Sequence, residues 1–129
     1  MTNKTYNIYI DNLKIGTTEL EKADAPMGVV FGDIKLVAIV SGYDFFKKYC
    51  ITNGIEINCD HPEERLVDTS NIPNLKVISL TGIEIKGQAI SINGMDSDAF
   101  EVTIWGIPYP FFEEQFPHHV NEYYAKTRS

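Results

Sequence analysis

The sequence predicts an α+β fold, an antiparallel β-sheet packed against one central helix and a C-terminal helical segment. Three observations lead there. Several short segments alternate apolar and polar residues with the period of a half-buried strand. Residues 41–53 carry apolar side chains at helical spacing between a start and a stop signal, and the chain closes on an aromatic, proline-bearing segment suited to short helices. With 129 residues, 43% of them hydrophobic, there is apolar surface enough for one core, so a single domain over 1–129 is expected.

Tyr6, Ile8 and Ile10 alternate with Asn7, Tyr9 and Asp11, and Asp11-Asn12 turns the chain into a second strand through Ile15. After Glu21, Asp24-Ala25-Pro26-Met27-Gly28 imposes a fixed bend, because proline pins its own φ and restricts its neighbour. Residues 29–34 and 36–40 are apolar and β-branched, broken at Gly32-Asp33, and read as a strand leading to a helix. That helix has Ser41 as N-cap and Asp44 in its first turn. Tyr43, Phe46, Tyr49 and Cys50 form its apolar stripe, Lys47 and Lys48 face away, and Asn53-Gly54 ends it in a left-handed cap.

Ile55, Ile57 and Cys59 alternate with polar residues as a short strand, followed by a charged loop over 60–74 in which Leu66-Val67 forms a brief strand or turn. Three β-type segments follow, at 75–80, 83–92 and 100–107. In the middle one the apolar parity switches between Ile83/Ile85 and Ile90/Ile92, which requires a bulge or turn at Gly87. The third places Phe100, Val102 and Ile104 on one face and Glu101, Thr103 and Trp105 on the other, closing a hairpin across residues 93–98. Residues 108–117 start a short helix that Pro117 cannot extend. One or two helical turns over 117–125 lead to a fraying charged tail, Lys126 to Ser129.

Charge and motif content narrow the function. A net charge of −7 opposes nucleic-acid binding, which needs clustered Lys and Arg, and suits a basic protein partner. No apolar run approaches the ~20 residues of a bilayer span, and the start lacks a signal-peptide centre, so neither membrane nor export is expected and the compartment is cytoplasmic. Cys50 and Cys59 are too few for a disulfide framework and occupy apolar periodic positions, where a thiol acts as a small hydrophobe. His61, His118 and His119 fall in no C-x-x-C or H-E-x-x-H context, so no metal site is expected; His118 and His119 read as exposed residues near a helix start. The glycines form no phosphate cradle, and no cofactor or catalytic residue is assigned.

What remains is an acidic, aromatic surface. Glu63, Glu64, Asp96, Asp98, Glu113 and Glu114 are the candidate partner contacts, with Trp105 and Tyr109 as anchors. The plainer reading gives the acids to solubility and the aromatics to the core. A small enzyme or ligand-binding protein with a Tyr/Trp/His-lined cleft, using His61, His118 or His119 as acid or base, is the alternative. A structural part in a larger assembly is the third.

The opening Y-N-I-Y-I-D-N-L-K-I-G-T-T-E-L-E and the D-A-P-M-G-V-V-F-G after it resemble a group of small bacterial proteins that start Y-x-I-Y-x-D…I-G-x-T-x-L-E…D-x-P-M-G. Some of these are similar to immunity proteins of bacterial toxin systems. The resemblance covers about the first quarter of the chain, through Tyr6, Asp11, Ile15, Gly16, Glu19, Leu20, Asp24, Pro26, Met27, Gly28 and Gly32. It implies direct binding of a toxin domain, with no catalytic residue.

Overall fold

The computed structural model describes residues 4–127. Over these residues it is an α+β fold: nine antiparallel strands in one sheet, with three α-helices. The strands are β1 (Tyr6–Ile10), β2 (Leu13–Thr18), β3 (Lys22–Asp24), β4 (Val29–Leu36), β5 (Ile57–His61), β6 (Leu66–Thr69), β7 (Leu75–Ser79), β8 (Ala89–Met95) and β9 (Phe100–Trp105). They run in the order β5-β6-β8-β9-β4-β2-β1-β7, with β3 also paired to β4. The helices are α1 (Gly42–Asn53), α2 (Phe111–Gln115) and α3 (Pro117–Thr127).

The region over residues 29–53 holds a strand leading to a helix, as expected, but the strand, residues 29–36, runs unbroken through Gly32-Asp33. The glycine has a different purpose. On one edge β4 pairs first with β3, at Val29 to Phe31, and then with β2, at Ile34 to Leu36. Between these, residues 19–21 bulge over Gly32, with Leu20 at φ 46° and fully buried. A β-carbon on Gly32 would strike the Glu21 carboxylate and lie 2.7 Å from Thr18 Oγ1 and 2.9 Å from Leu20 Cα. Residues 37–40 connect β4 to α1: the Val37 N–H still bonds to Ile15 O at 2.9 Å, Val37, Ala38 and Val40 are exposed, and Ile39 is half buried against the core.

Helix α1 begins as its sequence predicts. Ser41 Oγ accepts from the Asp44 N–H at 3.1 Å, and Gly54 closes the far end at φ 67°. Tyr43, Phe46 and Cys50 are buried against the sheet, Phe46 5.5 Å from the Phe100 ring, while Lys47 is drawn back to Asp60 at 2.9 Å. α2 and α3 seat Phe112 and Phe116 in the same hydrophobic cluster, with Phe116 6.2 Å from Tyr6. α3 continues through Lys126 to Thr127, beyond the one or two turns expected, because Val120 and His119 anchor its first half; Arg128 and Ser129 lie outside the described residues.

The predicted interruption at Gly87 is present. Strand β8 starts only at Ala89, and residues 83–85 lie instead against β7, with Ile85 N–H bonded to Val77 O at 2.8 Å. A β-carbon at Gly87 would collide with the Trp105 carbonyl. Leu66-Val67 opens β6, which lies between β5 and β8. Ile57 and Cys59 are only half buried, as befits an edge strand.

Candidate functional site

Strand alternation sends Val30, Ile34, Phe100, Val102, Ile104, Ile90 and Ile92 to the helix-covered face. The opposite parity forms an outer face. Register brings residues remote in sequence into one transverse row there: Asp33 lies opposite Glu101, Glu101 opposite Asn93, Asn93 opposite Asp68, and Asp68 opposite Cys59. A parallel row holds Phe31, Thr103 and Ser91, with Trp105 beyond it.

Asp33 and Glu101 are like charges directly opposite each other, an arrangement that costs free energy unless a cation answers it. Lys22 answers it in part. Its Nζ lies 3.3 Å from Glu101 Oε2 and 5.8 Å from the Phe31 ring centre. The hydrogen bond and charge of Glu101 hold the ammonium pKa above its ordinary value, with Asp33 and Glu21 adding to the effect.

The outer face is concave. A hollow of about 580 Å³ is lined by Asp33, Asp68, Asp98 and Glu101 against a single lysine, Lys22. A second, of about 790 Å³, shares Lys22, Asn93 and Glu101 with it and is walled by Phe31, Trp105 and, from α3, His119, Glu122 and Tyr123. Trp105 is 48% exposed and donates from Nε1 to Ser91 Oγ at 3.2 Å, which fixes the plane of the indole. The two hollows form one trough, acidic at the end near the β8–β9 turn and aromatic at the other.

The residues expected from sequence to bind a partner do not share one surface. Glu63 and Glu64 occupy the exposed β5–β6 turn, close to Asp96. Asp98 lies at the acidic end of the trough and Trp105 at its aromatic end. Tyr109 is half exposed, its hydroxyl donating to Ala25 O at 2.7 Å, and Glu113 and Glu114 are exposed on α2. Asp33, Asp68 and Glu101, which complete the trough, carry no local signal, because each is a single acid in its own segment; only cross-strand register unites them. Glu101 and Trp105 did share a predicted face, and that alternation was the available signal.

Asp96 is occupied within the fold. Its Oδ1 accepts from the Tyr43 N–H at 3.0 Å, and its Oδ2 from Ser41 Oγ at 2.6 Å and Arg65 Nε at 2.8 Å. Partial burial opposes its ionisation, but the bonds from Ser41, Tyr43 and Arg65 outweigh this and hold its pKa below the usual carboxylate value. Arg65 also pairs with Asp44 at 2.7 Å, so this acid cluster clamps the start of α1 to the β8–β9 turn.

The histidines are dispersed. His119 is buried, contrary to the expected exposed pair, and its Nε2 donates to Leu20 O at 2.8 Å, tying α3 to the bulge over Gly32. Its ring lies 4.1 Å from that of His118, whose pKa is lowered by burial and then by its neighbour. His61 ends the edge strand β5. Cys50 is sealed in the core, where burial raises its pKa, and Cys59 lines the smaller hollow. Among the described residues, no group of three or more His, Cys, Asp or Glu is placed to hold a metal ion, and no helix is long and apolar enough to cross a membrane.

Comparison with protein-family models, curated proteins and solved structures finds no match to this chain.

Proposed function

We propose that this chain is a protein-binding module that takes a basic protein surface into the trough on the outer face of its sheet. One observation carries the reading. Asp33 and Glu101 stand opposite each other in a row continued by Asp68, with Lys22 the lone cation of the smaller hollow. An incoming Lys or Arg relieves that repulsion, so binding gains from charge already crowded together, while Trp105 and Phe31 supply apolar anchorage at the other end. Such a surface needs no cofactor.

In its most specific form the module is an immunity protein that neutralises a bacterial toxin by direct occlusion. The resemblance of the first quarter of the chain supports this, and so does the chemistry: carboxylates in a trough substitute for nucleic-acid phosphate before a Lys/Arg-rich active site. The expected result is that the wild-type chain captures a stoichiometric basic protein from its native cell, and that D68K/D98K/E101K, still folded, does not. Capture insensitive to these reversals would overturn the reading.

A second reading is favoured by the larger hollow. At about 790 Å³, lined by Trp105, Tyr123 and His119, it falls within the size range of small-molecule sites. Turnover or saturable binding of a metabolite by the pure protein, lost in Trp105→Ala, would select it over the protein-binding module.

A further inference from the structure

Strand β4 connects two exposed patches of opposite character. Beyond its C-terminal end, Val37 is 45% exposed and Val40 fully so, and Leu13, the first residue of the adjacent β2, is 59% exposed. These residues and Phe45 line a hollow of about 440 Å³ with Lys14 and Lys48 at its margin. Its one acid, Asp44, is already paired with Arg65, so the margin is cationic in a chain of net charge −7. Ala38, at φ 58°, adopts a left-handed conformation that a β-carbon resists, and it shapes the apolar run that stands out from the core.

Ahead of the N-terminal end of β4 lies the counterpart. Tyr109, bonded to Ala25 O, stacks on Phe112 at 5.2 Å and is 48% exposed; Tyr124 is 51% exposed; Glu113 and Glu114 project from the same short helix. The stack on Phe112 sets Tyr109 beside Glu113, the next residue of α2. Eight residues of strand separate the patches, about 25 Å.

We infer that copies of this chain associate head to tail, the Tyr109/Tyr124 patch of one seating in the Leu13/Val37/Val40 hollow of the next, with Glu113 and Glu114 facing Lys14 and Lys48. A two-fold contact of either patch with itself would set lysine against lysine or glutamate against glutamate. The complementary pairing joins unlike surfaces at opposite ends of one strand; with one such contact per interface, association propagates beyond two copies or closes into a ring, whereas a reciprocal double contact would stop at a dimer. It uses neither hollow of the trough, and the two proposals stand or fall separately.

Sedimentation velocity of the full chain, from about 10 µM to about 500 µM at physiological salt, tests it in the range expected of a small interface. The mass of the wild type should rise with concentration past that of a dimer. K14E/K48E and E113K/E114K should each stay monomeric, with unchanged circular dichroism because all four side chains are outside the core. The fourfold variant keeps the net charge of −7 and should regain association, since each contact is restored with its signs exchanged. Val40→Gln, at a side chain that contributes nothing to the core, should weaken association without altering any charge. A wild type that remains monomeric, a dimer indifferent to these changes, or a fourfold variant without rescue would overturn the proposal.

Discussion

Around Arg65, the carboxylates of Asp44 and Asp96 are met by a guanidinium, a serine hydroxyl and a backbone N–H. Across the outer face, Asp33, Asp68, Asp98 and Glu101 surround one half-exposed lysine. Both clusters draw on the β8–β9 hairpin, and both look alike as sequence. Their difference shows that the number of acids in a segment says little about function; what matters is whether the fold has already supplied their cations and donors. The first cluster closes a junction, and the second sets four acids around one lysine.

The sharpest way to break the first cluster is to remove the platform beneath it. Phe46→Ala empties a fully buried position against Phe100 and should destabilise the fold by about 3–5 kcal/mol, read as a lowered denaturation midpoint. Asp96→Ala comes next. It strands the Ser41 hydroxyl and the Tyr43 N–H, for an expected loss of about 1–3 kcal/mol.

The same residue should divide the clusters by pH. Because its folded pKa is lowered, the stabilisation from Asp96 is complete above the unfolded value of 3.8 and is lost as pH falls through the folded value. Asp96→Asn should remove that part of the acid-induced fall in stability. The smallest effect belongs to the trough: D68K/D98K should change stability by no more than about 0.5 kcal/mol in chemical denaturation. A large loss there would show that the outer acids hold the fold together, and the contrast would collapse.

Local rules made α1 readable, since Ser41, the apolar stripe and Gly54 act within one turn of their own positions. The β8–β9 hairpin was readable for a like reason, because alternation and turn lie in a single stretch. The strand leading to a helix over residues 29–53 is legible in the same way, but the reason for Gly32 is not, because it answers a bulge eleven to thirteen positions earlier and no local pattern reports that approach. Nor does apolar composition reveal that Val37 and Val40 face solvent. The burial of His119 has no local signal, because its partner, the Leu20 carbonyl, is 99 positions away. The trough was half legible: one strand's outward face could be read, but neither Asp33 nor Asp68 could be joined to it before the strand order was known.

The two thiols offer a practical return. Cys50 is out of reach in the interior while Cys59 borders the acidic hollow, so a maleimide dye added to the unaltered, folded chain should attach at one place. That place adjoins the surface where a cationic guest would arrive, and the molecule thereby carries a built-in reporter whose emission can follow occupancy without any engineered residue.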